Sequence, residues 1–216
     1  MGSVAAPMAD HRVFAAMYDR MTAAAEHAGL ADRRRHLLAR ARGDVLEIGG
    51  GTGANLQHYP RTGIDRVVVV EPDAAMRRRL LTRVTTAPVQ VEVHETGIED
   101  AAFADGSFDT VVSTLVLCTV PDPQAALTRI RGLLRPGGSL LFLEHVAGLG
   151  MRLRLQRLVS PLWQRMLGGC HPDRDLVGAI RSAGFTIAEC DRFDLPKVSR
   201  LVRPAAQGVA HPKAAA

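Results

Sequence analysis

The chain has 216 residues, 47% of them hydrophobic, with 27 Lys and Arg against 22 Asp and Glu for a formal net charge of +5. That length predicts one domain over residues 1–216 with a sizeable core, and no apolar run is long enough for a membrane span or a signal peptide. The positive charge is not interleaved with the few aromatics (1 Trp, 2 Tyr, 6 Phe), so nucleic acid is not the expected partner.

Taken in order, residues from about Asp10 to Arg42 carry Val13, Phe14, Met17, Met21, Leu30, Leu37, Leu38 and Ala41 at helical spacing and predict two helices. Arg33-Arg34-Arg35 within them reads as a solvated face. Asp44-Val45-Leu46-Glu47-Ile48 then predicts a first strand buried on both faces, running into Gly49-Gly50-Gly51-Thr52-Gly53. Glycines there tolerate positive φ and allow a ligand close to the backbone, and Ala54-Asn55-Leu56 predicts the start of a short helix with free N–H groups facing it. Gly49, Gly51 and Ala54 satisfy a dinucleotide pattern, with Glu71 following about 20 residues later. Enzymes of S-adenosylmethionine (SAM) share the strand, the loop and the later acid. Glu47, at the strand's end under the loop, separates the two readings: it would repel a pyrophosphate and attract an ammonium, which disfavours an NAD-binding oxidoreductase.

Arg66 to Asp73, with four consecutive valines, predicts strand two ending at Glu71, which is placed to accept both hydroxyls of a ribose. Pro72 and Asp73 then begin a helix. Val89–Val93 predicts strand three, Phe108–Val112 strand four, Gln124–Leu134 an amphipathic helix, Leu140–Leu143 strand five and Phe185–Cys190 strand six. Cys118 reads either as a small buried hydrophobe or as a residue touching substrate. With Cys170 and Cys190 it forms neither a disulfide framework nor a C-x-x-C pair, so no metal site is expected, and a reducing, cytoplasmic setting is the simplest. Met151 to Leu167 is apolar with interspersed arginines, and Pro161 predicts two short helices. The segment reads either as a lid touching a membrane surface or as a helix packed on the sheet with its arginines snorkelling outward.

The stretch Glu47 to Gly53 resembles the first motif of class I SAM-dependent methyltransferases, and Gly97 to Asp109 resembles a later one, with Gly97 in place of the usual adenine-facing acid. Thr114-Leu115-Val116-Leu117-Cys118, Glu144-His145-Val146, Tyr59-Pro60, Gly169-Cys170 and Arg174 narrow the likeness to the quinone-type and thiol-type branch, and most to alkyl-thiol S-methyltransferases. The resemblance implies a Rossmann-like α/β fold of seven strands, helices on both faces, a short antiparallel strand near Val209, and a helical substrate cap at 151–175 between strands five and six. It implies SAM held by Glu47, Gly49, Gly51, Thr52, Gly53 and Asn55 at the loop, Glu71 and Pro72 at the ribose, Ile98 and Glu99 at the adenine, and Thr114 and Leu115. Residues 1–42 would form a helical lid, with Tyr18 either over the cofactor or simply packed between helices. The expected reaction is methyl transfer to a small apolar acceptor, a thiol first, with a phenol or quinol as the alternative. Asp100, His145 and His171 are the candidate bases, His145 equally readable as a structural hydrogen-bonding group.

Overall fold

The structure, a computed structural model, describes residues 12–166 and 168–213. Asp10, Leu167 and the Ala-rich end, which the sequence reading included, lie outside the described residues. Seven strands form one sheet: β1 (Gly43–Ile48), β2 (Ile64–Val70), β3 (Val91–His94), β4 (Phe108–Thr114), β5 (Leu134–His145), β6 (Phe185–Asp194) and β7 (Pro204–Pro212). Their order is β3-β2-β1-β4-β5-β7-β6, with β7 antiparallel to both of its neighbours, as expected near Val209.

The unbroken apolar runs in the central strands follow from covering the sheet on both sides. Leu46, Ile48, Val68, Val70, Leu140 and Phe142 belong to one core layer, with α4 (Pro123–Leu133) and α6 (Leu176–Ser182). Their alternates Val45, Val67, Val69, Leu141 and Leu143 belong to the other, with α2 (Ala31–Leu38) and α3 (Ala74–Val84). Each such side chain, fully buried, contributes roughly 1.5–3 kcal/mol. Caps set the helix starts: Asp73 accepts from the Ala75 and Met76 amides at 2.8 Å, and Asp122 from Gln124 and Ala125.

Several expectations are corrected. The segment after the glycine loop is a succession of turns ending in a 3₁₀ turn at Leu56–His58, because Gly53, Leu56 and His58 bond three residues back rather than four. Strand five begins earlier than expected, and Arg135–Gly138 is a bulge inside it, where the register with β4 shifts. The N-terminal pair is α1 (Arg12–Ala25) and α2, joined by a π-helical turn at Glu26–Leu30 where Gly29 adopts φ 124°.

The largest departure is α5 (Met151–Met166), one helix rather than two despite Pro161. Its inward side is held by polar groups. Gln156 accepts from the Gly148 amide at 2.7 Å and donates to the Pro172 carbonyl at 3.0 Å, while Ser160 donates to Asp173 at 2.7 Å. These anchors offset the hydrogen bond that proline removes. Met151, Leu155, Leu158 and Leu162 face outward, so α5 departs from the packed-helix reading in exposing leucines as well as arginines.

Candidate cofactor and acceptor site

All the strand tips that matter meet one cavity of about 550 Å³ at the carboxyl ends of β1, β2, β4 and β5. In a sheet of this topology that is where strand order reverses and ligands bind. Gly49 makes the first close approach. It takes φ 56°, and a Cβ there would meet the Val116 side chain at 2.6 Å, so backbone alone fits. The loop is tied to β2 because the Gly51 amide donates to Glu71 Oε2 at 2.7 Å.

Glu47 is 2% exposed. It accepts from the Tyr59 hydroxyl at 2.7 Å and from Asn55 Nδ2 at 3.0 Å. Burial pushes its carboxyl up to about 7, against the pull of those two donors and of Arg34. Arg34 was expected on a solvated face; the kink at Gly29 turns it inward instead, to 3% exposure. Its guanidinium donates to Asn55 Oδ1 at 2.9 Å, Thr114 Oγ1 at 3.0 Å and Glu26 at 3.1 Å. Glu47, Asn55, Thr114 and Arg34 therefore form one buried polar network at the cavity wall.

Glu71 accepts the Asp73 amide on its other oxygen at 2.8 Å. Burial raises its carboxyl, opposed by the Asp73 and Gly51 amides. A carboxylate holding one amide per oxygen keeps lone pairs for further donors. Pro72, Ile98, Glu99, Thr114 and Leu115 also line the cavity. A Cβ on Gly97 would lie 3.0 Å from Glu99 Oε2, so the Glu99 carboxylate occupies the space that an acid at 97 would enter. Leu115 takes φ 59°, unusual for a branched residue, and its amide is held by the Leu143 carbonyl at 2.8 Å. Beyond it the Val116, Leu117 and Cys118 amides and the Ser113 hydroxyl all converge on the buried Glu144 carboxylate.

Thr52 lines the cavity, but its hydroxyl donates to Asp19 at 2.7 Å, and Arg83 bridges both. This latch ties α1 to the glycine loop and α3. Tyr18 lines the cavity from α1, edge-on to Phe14 with centroids 5.6 Å apart. Gly53 does not line it; that glycine packs on Leu80 and Leu56.

Of the three candidate bases only His145 lines the cavity. Asp100 is exposed in a turn beyond the rim. His171 stands outside the wall, its amide bonded to the Cys118 carbonyl at 2.8 Å, and burial with Arg174 nearby lowers its imidazole. His145 Nδ1 instead lies 3.7 Å from Cys118 Sγ and 3.6 Å from Cys170 Sγ, with the two sulfurs 3.6 Å apart. Cys118 is a small buried residue, as one of its two readings held, and it also lines the cavity. The Cys118 hydrogen bond draws the Cys170 thiol down, with His145 assisting, while the same bond and burial push Cys118 up. Arg34, Asp19 and Arg83 escaped the sequence reading as site residues; Trp163 was legible only as part of the apolar Met151–Leu167 cap segment, and Cys170 only through the Gly169-Cys170 element.

A model described as a methyltransferase domain matches residues 46–142. The chain is 34% identical to human thiol S-methyltransferase TMT1A over 77% of its own length and 69% of that protein's. It is 36% identical to human thiol S-methyltransferase TMT1B over 70% of its length, spanning 64% of that relative. A solved SAM-dependent methyltransferase from Methanosarcina mazei superposes with TM-score 0.64 at 19% identity, covering 82% of this chain and 96% of that one.

Proposed function

From the premise that this chain belongs to the SAM-dependent methyltransferases, we propose that it transfers the methyl group to a small, apolar thiol. When bound, SAM supplies a methyl on a sulfonium that is already activated for transfer. The residues fit that cofactor: a buried acid and a buried arginine share the wall beside a glycine backbone, and a second buried acid stands at the next strand tip. Glu47 and the Gly49 loop hold the ammonium of the methionine moiety, Arg34 balances its carboxylate, Glu71 takes the ribose hydroxyls, and Ile98 with Glu99 holds the adenine. Tyr18 covers the cofactor from the helical segment 12–42; residues 1–11 of the expected lid lie outside the described residues. Asp73 acts as a helix cap and Gly53 as a packing glycine. Positioning and exclusion of water supply most of the rate for so activated a donor.

The observation that carries the thiol reading is the other end of the cavity. Cys118, His145, Cys170 and Trp163 line it, while the carboxylates of the wall, Glu47, Glu71, Asp73 and Glu99, come from the β1–β3 side. That end offers soft and aromatic surface to an apolar acceptor and no acid to recruit a cationic one. A thiolate is the nucleophile, so deprotonation is assigned to the cluster containing His145 rather than to Asp100 or His171. The thiol S-methylation named for TMT1A and TMT1B supports the same acceptor class.

The whole is read as one domain whose 151–175 segment caps the acceptor end. No helix among the described residues is long and apolar enough to cross a membrane. The outward leucines of α5, Leu155, Leu158 and Leu162, interspersed with Arg154, Arg157 and Arg165, provide peripheral contact with an anionic membrane surface from the cytoplasmic side. The test of function is a transfer assay with methyl-labelled SAM over apolar thiols, phenols and quinols. Apolar thiols should be methylated, at a rate that rises with pH until the thiol has titrated. Methylation of phenols or quinols with none of any thiol would overturn the acceptor and leave the cofactor untouched.

A further inference from the structure

We propose that Cys118, His145 and Cys170 bind a zinc ion whose fourth coordination position receives the acceptor thiol; the second half of this rests on the thiol reading above. The three ligand atoms lie within 4.8 Å of one another, though their residues are far apart in sequence. Their separations are 3.6 Å between the sulfurs and 3.7 and 3.6 Å from each sulfur to Nδ1. Zinc bonds of about 2.3 Å to sulfur and about 2.0 Å to nitrogen, set tetrahedrally, require edges of about 3.8 Å between sulfurs and about 3.5 Å from sulfur to nitrogen. The cluster is thus one face of a zinc tetrahedron without rearrangement. Two thiolates and an imidazole are also the donors that select zinc over the oxygen-preferring divalent ions. Three protein ligands with a position left open describe a catalytic rather than a structural site.

The scaffold holds that face rigid. Cys118 sits on the turn whose amides converge on Glu144, and His145 is the next residue along β5. The Cys170 loop is pinned to the same turn by the His171 amide on the Cys118 carbonyl and by Arg174 on the Leu117, Cys118 and Val120 carbonyls. A disulfide explains less. The sulfurs stand well beyond the bonding distance of about 2.05 Å, and a disulfide gives the imidazole facing both of them no role.

All three residues line the cavity shared with the cofactor, so the open position is reached from it. An acceptor thiol entering there exchanges its proton, released to water, for a bond to zinc. Its sulfur then forms a bond to the methyl carbon as the methyl–sulfonium bond breaks, the pair staying on the cofactor's sulfur. The neutral thioether is a poor ligand and leaves. The metal changes neither charge nor oxidation state.

The full chain, purified under reducing conditions and stripped with chelator, is titrated with zinc against a chromophoric chelator and separately with cobalt(II). The expected result is about one tight site per chain and a tetrahedral cobalt spectrum with sulfur charge transfer. C118S, C170S and H145A, checked for folding by circular dichroism, should each bind roughly 100-fold more weakly or worse. Adding an alkanethiol to the cobalt protein should shift the spectrum in wild type. No tight binding by the wild-type chain, or binding indifferent to the folded variants, overturns the site. A metal that binds but ignores the thiol overturns its role in the reaction. Full thiol turnover by chelated protein does the same while leaving the thiol reading intact. A thiol-responsive metal in a protein that methylates no thiol keeps the site and removes the acceptor assignment instead.

Discussion

The two ends of the cavity are built by opposite means. The carboxylate end is centred on one short stretch: Glu47, the glycines, Asn55 and Glu71 lie between the end of β1 and the tip of β2, and Arg34, Glu99 and Thr114 are added to it from α2, the turn after β3 and β4. The sulfur end draws Cys118 from the turn after β4, His145 from the tip of β5, Trp163 from α5 and Cys170 from the loop beyond it. The first end sets buried charged groups beside a glycine backbone, with their own hydrogen bonds already arranged. The second presents sulfur and aromatic surface, and Trp163 Nε1 there is buried with no hydrogen-bond partner among the described residues. Under the proposed function, a cofactor common to many enzymes meets mostly a local motif, and an acceptor particular to one of them meets what the topology brings together.

The change that should damage this division most is Arg34→Ala. It leaves Asn55, Thr114 and the buried Glu47 without their cation, and losing one partner of a buried charge network costs about 3–5 kcal/mol. Urea unfolding should show that loss; an unchanged midpoint would mean that Arg34 contributes no net stabilisation.

Glu71→Ala should act on the carboxylate end alone. Losing a carboxylate that accepts hydroxyls costs about 1–3 kcal/mol, roughly a 5- to 150-fold rise in the Kd for S-adenosylhomocysteine by calorimetry. Acceptor thiol KM at saturating SAM should stay the same, and a coupled rise in both would erase the distinction between the ends.

Glu47 sharpens it through pH. Folding raises its pKa from 4.5 to about 7. Between those values the folded chain binds more protons than the unfolded one, so Glu47's contribution to stability of the ligand-free protein falls as pH rises through the window and is level above it. The ligand's ammonium favours the ionised acid, so S-adenosylhomocysteine should bind up to about fivefold more tightly at pH 7 than at pH 6. Glu47→Gln should flatten that profile; a persisting slope would assign it to another group.

The smallest effect on stability is expected at the outer surface of the sulfur end. Leu158 and Leu162 are 77% and 63% exposed. Replacing both with Gln should change stability by no more than about 0.5 kcal/mol while abolishing sedimentation with anionic vesicles. Undiminished vesicle binding would remove α5 as the membrane-facing surface.

α4 and α5 show how far sequence periodicity reaches. In α4 the apolar stripe Ala126, Leu127, Ile130 and Leu133 is buried, as its spacing dictates. In α5 the same kind of stripe is outside, because Gln156 and Ser160 find polar partners inward that a solvated helix would lack. Periodicity reports that a stripe exists and not what it faces.

By itself the sequence determined that the strands exist, though not where β5 begins, together with the helix start at Asp73, the glycine loop and the two acids beside it, since each depends on neighbours within a turn or a strand: φ freedom at Gly49, an acid ending β2, valines buried on both faces. It carried the cofactor with them. Only the tertiary structure decided that Arg34 turns inward, that Asp100 and His171 stand outside the cavity, and that Cys118, His145 and Cys170 meet. Those depend on a single kink at Gly29 and on parallel strands whose tips are adjacent in space but separated in sequence by whole crossovers, and no local spacing encodes such distances.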